Sequence, residues 1–199
     1  MRVKTNYMYF GKGKDRIKLT HLSRPWKLGL VGYITSNLFD GMIPLKIVDS
    51  NLGNITIDLA GLGLNSKSNT AFIALDEEIF YGIKRGSKMA RFILLHEVGH
   101  FFHRNDNEKM SLSPDDKDKL REEAVRNGSV LKDELDADSF AASYLGKDAL
   151  EGIQELKRRM QEQIEQIEIQ YGDECEHNGD IAIKEIELRI STLKELAMS

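Results

Sequence analysis

The stretch Phe92-Ile-Leu-Leu-His-Glu-Val-Gly-His-Phe-Phe-His103 sets polar residues into an otherwise apolar run. It falls within Lys88–Arg104, which we predict as a helix with Ser87 as its N-cap. On a helix, His96 and His100 lie on the same face, one turn apart. Burying such groups among apolar neighbours costs free energy unless they have partners. The stretch therefore predicts a buried polar site on a core helix.

Two histidines four residues apart can bind one metal ion, and neutral imidazoles suit zinc. Glu97 follows His96 at about 100° around the helix, so it would lie beside the ion and could take a proton from water there. This is the H-E-x-x-H pattern, in which two histidines bind zinc and the glutamate acts as a general base. A chance match is the alternative. We disfavour it because three of the five histidines fall within eight positions.

A further ligand is expected from a second predicted helix, Leu131–Leu145, which Gly146 would terminate. Glu134 and Asp138 lie four apart on one of its faces. One carboxylate could bind the metal, and the other could hold the far ring nitrogen of a ligand histidine. The competing interpretation is a solvated acidic helix start, stabilised by the helix dipole.

Two further residues of the first helix have open roles. His103 shares the face of His96 and His100, so it could bind metal, contact substrate or stabilise an oxyanion. It could equally complement the negative end of the helix dipole. We favour a more distant carboxylate as the third ligand. Gly99 costs a helix about 1 kcal/mol relative to alanine, which suggests a close neighbouring backbone, mere tolerance being the alternative.

The two segments HEVGHFFH and ELDADSFAA together resemble the ImmA/IrrE-like zinc metallopeptidases, a family within the gluzincins. The resemblance covers about residues 70–146. It implies one zinc ion per chain and the following roles: His96, His100 and Glu134 as zinc ligands, Glu97 as catalytic base, and Asp138 as a partner of a ligand. Asp136 stands where the family usually has glutamate, and Ser143-Tyr-Leu-Gly replaces its usual Leu-Met-Pro. No helix-turn-helix domain is evident.

The strand and helix patterns of the rest of the chain predict an α+β fold with a small sheet, and the resemblance implies a compact zincin-like body. The predicted strands are Ile43–Val48, Asn54–Leu59 and Thr70–Leu75. A hairpin connection is predicted at Asn51–Gly53, and Gly61–Ser68 is predicted as a loop. The segment Lys27–Leu38 is compatible with a short helix or a buried strand. Thr70–Leu75 could be the edge strand against which a peptide lies.

The remaining segments predict helices. Ser113 and Pro114 indicate a helix start, and that helix is expected to end near Asn127-Gly128. Two apolar stripes after Gly146 predict an antiparallel helical hairpin, with Asp180 as a cap of its second helix. We therefore divide the chain into a metallopeptidase domain, 1–146, and a hairpin extension, 147–199. We expect the hairpin to pack on the body and to be dispensable for zinc binding. An outward hairpin that forms a dimer is the alternative.

The composition of the chain indicates which cellular compartment and which classes of partner to expect. Of 199 residues, 28 are Lys or Arg and 32 are Asp or Glu, for a net charge of −4. One cysteine excludes an intrachain disulfide, and no apolar run reaches the roughly 20 residues of a membrane span. We expect no signal peptide, a cytoplasmic location and no membrane partner. Residues 1–30 carry eight basic residues against one acidic. We favour a solvated face or a complement to the acidic residues 147–199 over a nucleic-acid partner.

Three functions fit these observations. The leading one is a zinc-dependent peptidase, and the resemblance implies a regulatory protein, such as a repressor, as its substrate. The second is a protein-binding module with a structural or silent metal site that acts through its C-terminal helices. The third is a metallohydrolase acting on another bond. Glu97 favours hydrolysis, because a purely structural metal site needs no carboxylate at that position.

Overall fold

The computed structural model of the protein describes residues 4–25, 29–47, 60–65, 70–103, 114–171 and 176–198. Within these ranges the chain forms one six-stranded mixed sheet and six helices, so the predicted α+β class is confirmed. The predicted strand Asn54–Leu59, the predicted hairpin at Asn51–Gly53 and the predicted cap Ser113 lie outside the described residues.

The strands and helices follow in chain order. The strands are β1 (Thr5–Phe10), β2 (Ile17–Leu22), β3 (Leu30–Ser36), β4 (Phe39–Ile47), β5 (Ala60–Asn65) and β6 (Thr70–Leu75). The helices are α1 (Glu77–Arg85), α2 (Lys88–His103), α3 (Pro114–Arg126), α4 (Lys132–Leu145), α5 (Lys147–Tyr171) and α6 (Glu176–Met198). The segment Lys27–Leu38 thus contributes a strand, which settles the open alternative.

The sheet has the strand order β1-β2-β3-β4-β6-β5. Strands β1 to β4 form an antiparallel meander, β4 pairs in parallel with β6, and β5 pairs antiparallel with β6. Along β2, Ile17 and Leu19 are fully buried, while Lys18 and Thr20, which alternate with them, are partly exposed. This period of two buries one face of the meander and leaves the other face to solvent.

Two predictions about this sheet are wrong. The segment Gly61–Ser68 was expected as a loop, but its first part is strand β5, in register with β6 through pairs such as Gly61 with Ala74. Cross-strand pairing outweighs the low strand propensity of its glycines. Thr70–Leu75 was expected at the edge. It lies between β4 and β5 instead, and among the described strands β5 is the edge beside α2.

Most helix ends match the sequence signals. The Ser87 hydroxyl accepts a hydrogen bond from the backbone N–H of Ala90 at 3.2 Å, which caps α2. Helix α3 ends just before Asn127-Gly128, and Gly146 follows α4 with its N–H bonded to the Ala142 carbonyl at 2.8 Å. Asp180 is not a cap, because α6 already begins at Glu176.

Helix α2 runs through the centre of one continuous core. That core joins the buried face of the sheet to α1, α2, α4, α5 and α6. Both predicted apolar stripes enter it, through Ile153 and Met160 of α5 and through Ile186 and Ile190 of α6. The expectation that the hairpin packs on the body is therefore confirmed. In the described part of the chain, no helix combines the length and apolar character that crossing a membrane requires.

Gly99 marks the point where α2 meets α4. A Cβ atom built on Gly99 would lie 2.8 Å from the Cα of Ala137 and 3.1 Å from its carbonyl oxygen. Both atoms belong to backbone, which cannot move aside as a flexible side chain can. The glycine predicted to admit a neighbouring backbone does so.

Gly99→Ala should destabilise the protein by about 1–3 kcal/mol, because the added methyl group forces α2 and α4 apart. Helix propensity alone would give the opposite sign, a stabilisation of up to about 1 kcal/mol. Urea unfolding followed by circular dichroism measures the difference. Gly61→Ala is the control, since a Cβ there would meet no atom within 4 Å. A more stable Gly99→Ala variant would contradict the close packing.

Candidate metal centre

Helix α2 holds its polar residues in place because apolar residues anchor it on several sides. Phe92, Leu94, Leu95 and Val98 are fully buried, and the helix contacts α1, α4, α5 and the β5–β6 edge of the sheet. A helix fixed in this way has little freedom to rotate, so its polar side chains keep one orientation. His96 is buried, and His100 lies one turn further along, half-buried.

His96, His100 and Glu134 form a group that could hold a metal ion. The Nε2 atoms of the two histidines are 3.0 Å apart. Glu134 Oε2 lies 3.2 Å from His96 Nε2, and Glu134 Oε1 lies 3.5 Å from His100 Nε2. Donor atoms bound tetrahedrally at about 2.0–2.1 Å from an ion are about 3.3 Å apart. The three residues therefore already have the spacing of a ligand set.

Asp138 orients the first of these histidines. Its Oδ1 lies 2.8 Å from His96 Nδ1, and the carboxylate is 1% exposed. When Nδ1 donates its hydrogen to this carboxylate, the lone pair of Nε2 faces His100 and Glu134. The sequence predicted that one of the two carboxylates on α4 would lie with the ligands and the other would hold a histidine. The structure places Glu134 in the first position and Asp138 in the second.

Sequence reasoning missed Arg189, which reaches the site from α6. Its Nε donates to Asp138 Oδ2 at 2.7 Å and its Nη2 to Asp138 Oδ1 at 2.6 Å, a bidentate pair. Its Nη1 lies 3.5 Å from Glu134 Oε2. The guanidinium thus supports both carboxylates. The hairpin was expected to be dispensable for metal binding. Because removal of α6 would remove this support, we now expect its removal to weaken metal binding.

A second ion pair, in which only the carboxylate is buried, lies behind the first. Glu185 lies four residues before Arg189 on α6, is fully buried, and accepts a hydrogen bond from Arg121 Nε of α3. Burial raises the pKa of Glu185, and the Arg121 guanidinium acts in the opposite direction. Its Oε1 has no hydrogen-bond partner among the described residues. Charged residues of α3, α4 and α6 thus lie next to one another behind the candidate ligands.

Opposing influences set the pKa values of the ligand residues. Burial would raise the pKa of Glu134, but hydrogen bonds with His100 and His96 hold it well below its usual range. Burial likewise opposes ionisation of Asp138, and Arg189 outweighs it, so that pKa is lowered. For His96, burial and Arg189 lower the pKa, while Asp138 and Glu134 together raise it to about 9. A metal ion that binds there near neutral pH would have to displace the proton from His96.

Glu97 is a buried carboxylate with a raised pKa. It is 9% exposed, and burial raises its pKa above the usual value for glutamate. The charges of His96 and His100 act on it in the opposite direction, so it lies within electrostatic reach of both ligands. A carboxylate of raised pKa is a more effective general base than an exposed one.

His103 does not join the ligand group. Its ring packs edge-on against Phe102, with 5.1 Å between ring centroids, and more distantly against Phe140, at 6.3 Å. Among the described residues, the group that could hold a metal contains only the other two histidines of α2 with Glu134.

Comparisons with protein-family models, with curated proteins and with solved structures gave no match. The likeness to the ImmA/IrrE-like peptidases therefore rests on the two sequence segments in α2 and α4. The structure adds that these two segments lie against each other. It brings together the three predicted ligands and Asp138, leaves His103 outside, and contributes Arg189.

Arg189→Met should lower the free energy of unfolding by about 3–5 kcal/mol, because it leaves the Asp138 charge buried without its main partner. Urea unfolding at neutral pH measures the loss. Arg158→Met is the matched control, since Arg158 is exposed and pairs with Glu162 within its own helix. It should cost less than about 1 kcal/mol. Equal losses in the two variants would contradict a supporting role for Arg189.

Proposed function

We propose that the chain is a zinc-dependent peptidase that hydrolyses a peptide bond in a regulatory protein such as a repressor. The observation that carries the proposal is the convergence of His96, His100 and Glu134 within ligand spacing, next to the buried Glu97. Two imidazoles and one carboxylate fit zinc, and three protein ligands leave a coordination position open, as catalytic sites do.

When bound, zinc supplies a Lewis acid that polarises a carbonyl and lowers the pKa of water. The residues of the chain do the rest. His96, His100 and Glu134 would hold the ion, and Asp138 would keep the His96 ring in its binding tautomer. Glu97 would accept a proton from the attacking water and return it to the amine nitrogen that leaves.

The edge of the sheet supports a peptide as the substrate. Strand β5 lies at the sheet edge among the described strands and contacts α2, which carries the histidines. An extended peptide can pair with the free backbone groups of such an edge. This arrangement supports peptide hydrolysis over hydrolysis of another bond. The regulatory nature of the substrate rests on the sequence resemblance alone.

Zinc-loaded wild-type protein should retain about one zinc ion per chain after gel filtration. His100→Ala should lose most of it, because a ligand is removed. His103→Ala is the control from the same helix and should retain the wild-type amount. Elemental analysis of the purified variants gives the zinc content directly. Full retention by His100→Ala, or an equal loss in His103→Ala, would contradict the ligand assignment.

Glu97→Gln should keep its zinc but lower the rate of peptide cleavage by about 10²–10⁴-fold, because an amide cannot accept the proton. A proteome-derived peptide library, incubated with zinc-loaded protein, reports cleavage through new termini in mass spectrometry. Glu77→Gln on α1, away from the site, is the matched control and should cleave as wild type does.

Two results would count against this mechanism. Wild-type cleavage rates in Glu97→Gln would remove Glu97 from the reaction. Absence of any zinc-dependent cleavage by the wild-type protein across the library would favour the protein-binding module, with the metal site structural or silent.

A further inference from the structure

The sheet exposes a basic and aromatic surface on the side that faces away from the helices. It is formed by Tyr7 and Tyr9 of β1, Lys18 of β2, and Lys14 and Arg16 of the β1–β2 turn, and is called here the basic aromatic face. The register places Tyr9 opposite Lys18. The intervening positions of β1 and β2 point into the core on the other side.

The two tyrosine rings of this face are unusually open to solvent. Tyr7 is 57% exposed and Tyr9 is 46% exposed. A cation lies over each ring: Lys18 Nζ is 4.3 Å from the Tyr7 centroid, and the Arg16 guanidinium carbon is 4.2 Å from that of Tyr9. Aromatic rings combined with cations provide surfaces on which bases can stack.

Next to these rings lies a groove of about 360 Å³ between the β1–β2 and β3–β4 turns. Three cations line it, Lys14, Arg16 and Lys18, together with Tyr9, and its lining contains no carboxylate. Neither Asp15 of the β1–β2 turn nor Asp40 of β4 lines it. The groove therefore suits a negatively charged group lying beside an aromatic ring.

The turn that carries the cations is held in place at three successive carbonyl groups. Asn37 Nδ2 donates to the Lys14 carbonyl at 2.7 Å, and Ser36 Oγ donates to the Arg16 carbonyl at 3.4 Å. Between them, the Tyr144 hydroxyl of α4 donates to the Asp15 carbonyl at 3.0 Å. A turn fixed in this way loses less conformational entropy when it binds a ligand than a free one would.

We propose that the basic aromatic face binds single-stranded nucleic acid, with Lys14, Arg16 and Lys18 contacting phosphates and Tyr7 and Tyr9 stacking on bases. Residues two apart on a strand are separated by about 6.8 Å, so the two rings offer two separate stacking positions. Stacking on an open sheet needs bases that are free of a duplex.

The proposal departs from the solvated face that the sequence favours for residues 1–30, because two exposed rings lie under cations there. The overall negative charge does not oppose it. Eight of the 28 basic residues fall within residues 1–30, where only Asp15 is acidic. Attraction to phosphates depends on the local field within about 10 Å, the screening length at moderate salt, rather than on the net charge of the chain. An acidic peptide would also meet these cations, but it would make no use of two exposed rings.

Fluorescence anisotropy with labelled 12-nucleotide single strands of DNA and RNA tests the proposal on the full chain at several salt concentrations. The triple variant Lys14→Ala/Arg16→Ala/Lys18→Ala should lower the slope of log affinity against log salt by about 2, at about 0.7 per lost phosphate contact. The matched control, Arg126→Ala/Lys132→Ala/Arg158→Ala, removes the same charge elsewhere and should leave the slope nearly unchanged.

The rings are tested separately from the charges. Tyr7→Ala/Tyr9→Ala should weaken binding by roughly tenfold or more per ring at an unchanged salt slope. Tyr7→Phe/Tyr9→Phe should bind as wild type does, because it keeps both rings. Circular dichroism verifies that each variant is folded.

Four results would overturn the proposal. The first is that the wild-type protein binds neither strand at low salt. The second is that the control triple variant loses as much slope as the test variant, and the third is that an abasic strand binds with equal affinity. The fourth is equal affinity for polyglutamate with the same sensitivity to the variants, which would assign the face to an acidic protein partner.

Discussion

The close approach of α2 and α4 is the constraint on which the candidate site depends. The backbone of Ala137 fits against Gly99 only because no Cβ stands between them. At this separation Glu134 reaches both histidines of α2, and Asp138 reaches the first of them from behind. One missing side chain thus sets the distance between the two halves of the ligand set. A larger residue at position 99 would act on the site without touching any ligand.

The second constraint is that each buried carboxylate needs a positive charge beside it. Asp138 and Glu185 are nearly inaccessible to water, and each would be costly to ionise alone. Arg189 and Arg121 supply the opposite charges, and the bidentate geometry fixes the position of Asp138 as well as its charge. The group that could hold a metal ion is therefore oriented by ion pairs that hold α3, α4 and α6 together, in addition to the apolar core.

The sequence allowed the parts of the site to be predicted where the information is local. Spacing of four residues places His96 with His100, and Glu134 with Asp138, on common helix faces, and both helices form close to the predicted bounds. Pairing across the chain is not encoded in such local patterns. Strand β5 is rich in glycine and is a strand only because β6 lies beside it. Helix α6 begins before Asp180, so that residue has no terminus to cap.

Arg189 shows that contacts within the candidate site are also hidden from local sequence patterns. It follows Ile186 by three residues and precedes Leu193 by four, so a charge on the apolar stripe was visible in the sequence. A long arginine side chain on such a stripe usually carries its charge outward to water. Its carboxylate partners, Asp138 and Glu134, lie on another helix more than 50 residues earlier in the chain, and no local pattern connects them. Only the packing of α6 against α4 shows that this arginine points inward.

That separation bears on the order in which the site can be assembled during synthesis. A ribosome produces α2 and α4 before α6, and domains begin to fold from the N-terminal side as the chain emerges. Until α6 emerges, the Asp138 carboxylate has no guanidinium to accompany it into the interior, so the seating of α4 on α2 is disfavoured. The nascent chain would thus carry the histidines and carboxylates of the site well before it could hold them in a working arrangement.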